Sequence, residues 1–274
     1  MIRIEEGLPE GVARRDGPPA WITIGNFDGV HLGHRAILNR LTMEARRAGG
    51  ETAVVTFDPH PRCVLQPDQC PPALTTSDEK AALLEEAGVD RLVVLHFDLE
   101  MSRWAAQDFC MRLLATFRLR HLIVGHDFAL GHRRQGDIPF LRDWGAREGV
   151  TVEALDPVAD AGGAVSSTRV REALGAGDMV AAAEILGRPW FADAAVEQVD
   201  GEWRALIPGG KALPAPGDYA VRTTEASEGL VSVPARPDHH APTALVAAGL
   251  PAGPARIEFL MRIPEGAASA TDPG

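Results

Sequence analysis

The chain has 274 residues, of which 45% are hydrophobic and 24% charged, and its formal net charge is −11. This composition supplies enough apolar material for a folded core and excludes a chain that is disordered over most of its length. The acidic balance disfavours nucleic-acid binding, and no apolar run approaches the roughly 20 residues that span a bilayer. Because the acidic N-terminus lacks the apolar stretch of a signal peptide, we expect a cytoplasmic protein without a membrane partner.

The first two thirds of the chain alternate between short apolar runs and amphipathic runs. Strands are predicted at residues 21–24, 52–57, 91–97, 121–124 and 151–155. Helices are predicted at residues 34–48, 76–86, 106–116, 139–148, 167–174 and 178–186. Thr76 and Glu79 have the spacing of a capping box at the start of the second helix. Nearly continuous apolar strands separated by helices predict a parallel sheet covered on both faces.

From about residue 190 the pattern changes to short alternating stretches separated by proline and glycine. These stretches lie at residues 194–199, 202–207, 219–224, 229–234 and 255–263. They predict a small antiparallel barrel or sandwich. We therefore expect an α/β domain at residues 1–189, a small antiparallel β-barrel-like domain at 190–264 and a disordered, polar tail at 265–274.

Lysine and cysteine are scarce in this chain. Lysines and arginines number 27 together, and Lys80 and Lys211 are the only lysines. We therefore expect a cationic phosphate contact to be an arginine, which binds phosphate in a planar, bidentate way. The three cysteines, Cys63, Cys70 and Cys110, lack CxxC spacing, which argues against a disulfide framework and a zinc site. We expect three reduced thiols, with Cys110 packed inside a helix.

The first candidate for chemistry is the segment GNFDGVHLGH at residues 25–34, directly after the first predicted strand. Gly25 after a buried strand permits close approach of a ligand. His31 and His34 lie where a helix begins, and free backbone N–H groups at a helix start favour phosphate. Two imidazoles there can donate hydrogen bonds to phosphate oxygens whose charge grows in a transition state. A single histidine at a helix start is more often a surface or capping residue, and HxGH lacks the nearby carboxylate or thiol partners that zinc requires.

A second candidate is the segment VSSTRVR at residues 165–171. Its serine and threonine hydroxyls stand at a predicted helix start, and Arg171 lies one turn further along. Hydroxyls, free N–H groups and a guanidinium suit the β- and γ-phosphates that leave as pyrophosphate. The same SST sequence is also an ordinary N-cap. Asp127 follows the fourth strand, either in a ligand pocket or as an Asx-turn residue.

These segments resemble the bacterial bifunctional riboflavin kinase/FAD synthetase family, in its FMN adenylyltransferase module. The first is GNFDGVHLGH, and five later segments match in order: TFDPHP (56–61), LTTSDEK (74–80), VGHDFALG (124–131), VSSTRVR (165–171) and AEILGRPW (183–190). HxGH also marks the wider superfamily of nucleotidylyltransferases with a Rossmann-like fold. The resemblance covers about residues 15–190. It implies a Rossmann-like parallel sheet and transfer of an adenylyl group from ATP to FMN, which yields FAD and pyrophosphate with Mg²⁺.

The resemblance also implies the roles of particular residues. Those expected to be catalytic are His31, His34 and Arg171. Those expected to bind the nucleotide are Gly25, Asn26, Phe27, Asp28, Gly33, Ser166, Ser167 and Thr168. Those expected on the acceptor side are Asp58, His60, Asp127, Phe128 and Arg134. Magnesium is expected to be held through the phosphates, and no protein ligand to it is predicted.

Two departures from the family pattern leave alternatives open. The family commonly has DFRFG where this chain has DFALG at residues 127–131, so Ala129 replaces a polar or basic side chain. The kinase signature GxPTAN does not occur in residues 190–274, so we predict no riboflavin kinase activity from a degenerate barrel. The alternatives are nucleotidyl transfer to another phosphorylated acceptor or from CTP, and a non-catalytic flavin or nucleotide sensor. The oligomeric state stays open.

Overall fold

The structure, a computed structural model, describes residues 1–11, 16–235 and 243–264. It consists of two compact units. The first comprises Met1–Pro71 and Lys80–Ala164, and the second comprises Pro72–Glu79 and Val165–Gly274. The predicted domain limits at residues 1–189 and 190–264 stay a prediction, and the tail predicted at 265–274 lies outside the described residues.

A six-stranded parallel sheet forms the centre of the first unit. Its strands are β1 (Arg3–Glu6), β2 (Pro19–Ile24), β3 (Glu51–Asp58), β4 (Arg91–His96), β5 (Arg118–Gly125) and β6 (Thr151–Leu155). They lie side by side in the order β1-β4-β3-β2-β5-β6, and every pairing is parallel. The five predicted strands are confirmed. Strand β1 was missed because it is a short edge strand whose apolar residue, Ile4, is exposed.

Five helices accompany these strands along the chain. They are α1 (Leu32–Ala48), α2 (Pro61–Leu65), α3 (Ser77–Glu86), α4 (Ala106–Thr116) and α5 (Ile138–Glu148). The apolar side chains of α1 pack with Trp21 and Ile123 on one face of the sheet. Those of α4 and α5 pack with Ile22 and Val124 on the other. Neighbouring strand residues point to opposite faces, so the parallel sheet covered on both faces is confirmed.

Strands β2 and β5 form the switch point of this sheet. The chain passes from β2 to β3 on one side, whereas β5, on the other side of β2, leads on to β6. Ligands of such sheets bind in the crevice outside the carboxyl ends of the strands at this point. The loops that follow β2 and β5 therefore start side by side where a ligand is expected.

The structure corrects the expectation of three reduced thiols. Cys63 in α2 and Cys70, which follows a 3-10 turn at Pro67–Gln69, form a disulfide with Cα atoms 4.2 Å apart. Spacing alone did not reveal this pair because a helical turn and a 3-10 turn fold seven residues back on themselves. Cys110 is a free, buried thiol inside α4, as predicted.

The second unit contains two helices and a closed antiparallel barrel. Its helices are α6 (Ser167–Ala176) and α7 (Met179–Leu186), and the small hairpin of β7 (Ala159–Asp160) and β8 (Gly163–Ala164) just before them ends the first unit. The barrel strands are β9 (Trp190–Val199), β10 (Glu202–Ile207), β11 (Gly217–Thr223), β12 (Glu228–Val233), β13 (Thr243–Ala248) and β14 (Gly253–Arg262). They close in the order β10-β13-β12-β11-β14-β9, which confirms a barrel. Strand β13, TALVAA, was missed because its alanines carry little strand signal.

The segment Pro72–Glu79 is fixed to the rest of the second unit by buried polar contacts. Thr76 and Glu79 form the predicted capping box, with Thr76 N donating to Glu79 Oε2 at 2.8 Å and Glu79 N to Thr76 Oγ1 at 3.2 Å. Glu79 Oε1 accepts a hydrogen bond from Asp193 N at 2.7 Å. The Lys211 ammonium is paired with Glu79 Oε2 and also donates to Leu74 O at 3.1 Å. Because both charges are buried, this pair is a structural element of the unit.

Candidate active site

The turn between β2 and α1 has an unusual backbone. Phe27 has φ of 49° and Val30 has φ of 42°, in the left-handed region that side chains with a Cβ rarely adopt. Both side chains are buried, and their packing holds the turn in this conformation. A Cβ on Gly25 would lie 3.2 Å from the ring of Phe27, so the glycine makes room for that ring. Strained backbone of this kind is concentrated at functional sites, where the surrounding structure imposes it.

Two histidine rings are stacked at the start of α1. His31 is the N-cap residue, and its Nδ1 accepts a hydrogen bond from the backbone N of His34 at 3.4 Å. The two ring centroids are 3.7 Å apart, and the ring of His34 also lies 4.8 Å from that of Phe27. The Nδ1 atom of His34 is buried and has no hydrogen-bond partner among the described residues. The turn thus contains one buried imidazole nitrogen that no group among the described residues satisfies.

Both imidazoles are neutral at pH 7. Burial lowers the pKa of His31 to about 4, although the nearby Asp28 opposes the shift. The pKa of His34 is well below its usual value because of burial, with further lowering by His31 and Lys80. Since His31 Nδ1 accepts the capping N–H, the ring hydrogen of the neutral form is on Nε2. His31 can therefore donate a hydrogen bond from Nε2 to a phosphate oxygen.

Lys80 belongs to the same electrostatic environment, and the sequence interpretation did not assign it to the site. Burial lowers the pKa of its ammonium, while Asp28 and Asp58 favour the charged form. The positive charge of Lys80 also lowers the pKa of His34. The expectation that a cationic phosphate contact is an arginine stays a prediction, and it left Lys80 out of consideration. A signal was available, because Lys80 is one of only two lysines and ends the segment LTTSDEK.

The loop after β3 carries Asp58 and His60 and contacts the β2–α1 turn. Asn26 Nδ2 lies 3.1 Å from His60 Nε2. His60 is also the N-cap of α2, where its Nδ1 accepts the backbone N–H of Arg62 at 3.1 Å. The structure thus brings an expected nucleotide-binding residue and an expected acceptor-side residue into direct contact.

The loop after β5 holds three further expected acceptor-side residues. Arg134 Nη2 donates a hydrogen bond to the backbone oxygen of Asp127 at 2.6 Å. Phe128 is partly buried against the core, whereas Asp127 and Arg134 are exposed. Arg134 is thus folded back onto the loop that carries Asp127, at the carboxyl end of the strand that neighbours β2.

The remaining expected residues lie in the second unit at the start of α6. Ser166 is the N-cap, and its Oγ accepts the backbone N–H of Arg169 at 3.3 Å. A hydroxyl that accepts a capping bond keeps its own hydrogen for donation. Ser167 and Thr168 occupy the first turn, and Arg171 Nε donates to Pro72 O at 2.7 Å. This segment has the features of an ordinary N-cap and also those of an anion contact.

The described residues contain no group of three or more histidine, cysteine, aspartate or glutamate side chains that could hold a metal ion. Within the same residues, no helix is both long enough and apolar enough to cross a membrane.

A parallel sheet with a histidine-bearing turn at its switch point defines a class of protein, the Rossmann-like α/β proteins that bind nucleotides. The sequence profile of one family, described as FAD synthetase, matches residues 14–169. That match spans more than half of the chain, and the chain therefore belongs to the FAD synthetase family.

Individual relatives agree with this assignment. A bifunctional riboflavin kinase/FMN adenylyltransferase of Pseudomonas fluorescens is 44% identical over 169 residues, which cover 61% of this chain and 54% of that protein. A FAD synthetase of Listeria monocytogenes is 31% identical over 220 residues, which cover 80% of this chain and 85% of that protein. The match thus spans about half the length of the first of these relatives.

A solved structure shows the fold of nearly the whole chain. It is titled as a macrolide-efflux protein from Streptococcus pneumoniae and superimposes with a TM-score of 0.77. The superposition covers 96% of this chain and 91% of that chain, at 22% sequence identity. At this identity the likeness shows a shared fold.

Proposed function

We propose that this protein is an FMN adenylyltransferase, which converts ATP and FMN into FAD and pyrophosphate. The observation that carries the proposal is the stacked pair of His31 and His34 at the start of α1, with His34 Nδ1 buried and without a partner among the described residues. A buried polar nitrogen at the start of a helix, an end that favours anions, fits a phosphate group. Membership of the FAD synthetase family supports ATP and FMN as the substrates.

The proposed chemistry is a direct in-line displacement. A phosphate oxygen of FMN attacks the α-phosphorus of ATP while pyrophosphate leaves from the opposite side, so no covalent enzyme intermediate is needed. Catalysis then consists of positioning the reactants and stabilising the charge that develops on the phosphate oxygens. Neutral His31 and His34 would donate hydrogen bonds to the α-phosphate. Lys80 would add a positive charge near this group.

The other expected residues divide between nucleotide and acceptor. In the turn after β2, Gly25, Asn26, Phe27, Asp28 and Gly33 are proposed to shape the nucleotide site. In the second unit, Ser166, Ser167, Thr168 and Arg171 are proposed to contact the departing phosphates. On the acceptor side, the proposed residues are Asp58, His60, Asp127, Phe128 and Arg134.

Mg²⁺ is proposed to enter with the phosphates of ATP, where it would neutralise part of their charge. The cytoplasmic location expected from the sequence stays a prediction.

The direct test incubates the purified protein with ATP, Mg²⁺ and FMN and follows FAD by chromatography and pyrophosphate by a coupled assay. We expect equal amounts of FAD and pyrophosphate. Parallel reactions replace FMN with other phosphorylated acceptors and ATP with CTP. Pyrophosphate release with another acceptor or with CTP, and none with ATP and FMN, would replace the proposed substrates. Flavin or nucleotide binding without any turnover would indicate a sensor.

The barrel is proposed to lack riboflavin kinase activity because GxPTAN does not occur in residues 190–274. Incubation with riboflavin, ATP and Mg²⁺ is expected to yield no FMN above a no-enzyme control. Clear formation of FMN would contradict this proposal and leave the adenylyltransferase proposal untouched.

A further inference from the structure

A side-chain hydrogen bond joins the β2–α1 turn to the loop after β3, and its direction has consequences for phosphate binding. Asn26 Nδ2 lies 3.1 Å from His60 Nε2. The backbone of Asn26 is fixed as well, since its carbonyl oxygen accepts a hydrogen bond from Thr56 Oγ1 at 3.1 Å. The distance alone does not say which side chain donates. Amide oxygen and nitrogen are interchangeable in position, and either imidazole nitrogen can carry the hydrogen.

The start of α2 fixes the tautomer of His60. Its Nδ1 lies 3.1 Å from the backbone N of Arg62, a group that can only donate. A ring nitrogen that accepts a hydrogen bond carries no hydrogen, so the ring hydrogen of His60 is on Nε2. His60 Nε2 is therefore a donor, and the atom of Asn26 that faces it must be an acceptor.

Asn26 consequently presents its carbonyl Oδ1 to His60, and its NH₂ group takes the other amide position. That position is buried and has no hydrogen-bond partner among the described residues. A buried amide donor without an acceptor is costly, and a phosphate oxygen entering the turn would supply one. The opposite orientation would place a carbonyl oxygen there, which repels a phosphate.

We propose that His60 is a positioning residue, which holds the Asn26 side chain so that Nδ2 donates a hydrogen bond to a phosphate oxygen of the bound nucleoside triphosphate. This inference rests on the proposed function. His60 acts here through Asn26 and needs no contact with a substrate. The capping bond of α2 thus affects the nucleotide turn, because it places the ring hydrogen of His60 on Nε2, the nitrogen that faces Asn26.

Selective labelling isolates the amide in question, because Asn26 and Asn39 are the two asparagines of the chain. In protein labelled with ¹⁵N-asparagine, ATP with Mg²⁺ is expected to shift the side-chain amide signal of Asn26. The signal of Asn39, which is exposed on α1, is expected to stay in place. In protein labelled with ¹⁵N-histidine, we expect His60 to carry its hydrogen on Nε2. A hydrogen on Nδ1, or an Asn26 amide that ignores ATP, would overturn the proposal.

Variants separate positioning from helix capping. Asn26→Asp keeps an acceptor for His60 but turns an oxygen toward the phosphate, and we expect the KM for ATP to rise at least about tenfold. His60→Asn keeps the cap of α2, since asparagine is a good N-cap, but its side chain is too short to reach Asn26. We expect it to raise the KM for ATP as His60→Ala does, while Asn39→Asp leaves it unchanged. If His60→Asn had the wild-type KM for ATP while His60→Ala had a raised one, His60 would serve only as the N-cap of α2.

The two proposals fail in different ways. If no acceptor is adenylylated while the Asn26 amide still responds to ATP and His60 carries its hydrogen on Nε2, the proposed function is wrong and the orientation of Asn26 stands. If Asn26→Asp forms FAD with the wild-type KM for ATP, the positioning role is wrong and the proposed function stands.

Discussion

At the residue scale, the two histidines of the β2–α1 turn are held in different ways. His31 is tied to the backbone as the N-cap of α1, so its orientation follows from the start of the helix. His34 is held by ring contacts with His31 and Phe27, and its Nδ1 has no partner among the described residues. His31 therefore has a structural role as well as its proposed catalytic role. Substitution of His34 leaves the cap of α1 in place and tests the catalytic role alone.

We predict that His34→Ala lowers kcat for FAD formation by about 10²–10³, the usual cost of removing one donor that stabilises developing charge. The KM for FMN should change little because the lost contact is to the α-phosphate of ATP. Thermal unfolding and circular dichroism of the same variant should show an intact fold. His34→Gln, which retains an amide donor, should recover part of the rate. Near-normal turnover of His34→Ala would refute the role of His34.

The lowered pKa of His31 makes the stability of the protein depend on pH. Above the unfolded value of 6.5 the ring is neutral in both states. As pH falls from 6.5 to about 4, the unfolded chain binds a proton that the folded protein does not, so the free energy of unfolding decreases. The full loss from this one group is roughly 3 kcal/mol. His34 contributes in the same direction because its pKa is also lowered.

Urea unfolding between pH 4 and pH 7 measures this dependence. His31→Asn keeps an N-cap residue but cannot titrate, so its unfolding free energy should decrease less steeply toward low pH than that of the wild type. Parallel curves for the two proteins would show that His31 does not titrate as described.

At the element scale, the segment after β3 is a small cross-linked structure. His60 caps α2, the Cys63–Cys70 disulfide joins α2 to the chain beyond the 3-10 turn, and Arg62 Nη2 donates to Gln69 Oε1 at 2.5 Å. Both cysteines are at least partly exposed, so the disulfide is open to reductants. The segment matters for function because it carries His60, which contacts the nucleotide turn.

We predict that Cys63→Ser/Cys70→Ser lowers the free energy of unfolding by about 2–3 kcal/mol in oxidising buffer, since the short loop is no longer closed in the unfolded chain. Denaturant unfolding measures the difference. Dithiothreitol should bring the wild type to the value of the double variant and leave the variant unchanged. Equal stability of the two proteins in oxidising buffer would contradict the disulfide.

At the scale of the whole molecule, each compact unit is stabilised in its own way. The first is built on apolar clusters on the two faces of its parallel sheet. The second is a closed barrel with a buried pair of Glu79 and Lys211, in which every oxygen of the carboxylate accepts a hydrogen bond. A buried pair of this kind tolerates the loss of one partner poorly, because the other charge is then left unpaired.

We predict that Lys211→Met destabilises the protein by about 3–5 kcal/mol, the cost of leaving the carboxylate of Glu79 buried and unpaired. Glu79→Gln/Lys211→Met should recover part of this loss, because it removes both charges. Arg204→Met at the more exposed pair with Glu202 is the control and should cost under about 1 kcal/mol. Thermal unfolding followed by circular dichroism compares the variants, and a loss as small as that of Arg204→Met would disprove the structural role.

Much of the fold could be predicted because short stretches of the sequence indicate its strands and helices. Five strands of the parallel sheet, the capping box of Thr76 and Glu79, and the change to alternating strands near residue 190 were all correct. The errors fall where the signal is weak or non-local. The edge strand β1 is short and exposed, and β13 is rich in alanine.

The same difference between local and non-local signals holds for the candidate site. The segment at residues 25–34 pointed to a phosphate-binding turn by itself, because glycine, two histidines and a helix start are adjacent in the chain. Its surroundings were decided by contacts between residues far apart in sequence, and no local pattern describes those. Such contacts bring Lys80 into the electrostatic environment of Asp28 and Asp58, and His60 against Asn26.

The sequence by itself therefore determined the family, the parallel sheet and the histidine-bearing turn, because each is indicated by short segments whose signal lies within the segment. Only the tertiary structure decided the Cys63–Cys70 disulfide, the buried pair of Glu79 and Lys211, and the contact between His60 and Asn26. Those features depend on which side chains folding brings into contact. For Glu79 and Lys211, removal from water then makes each charge need the other as its partner.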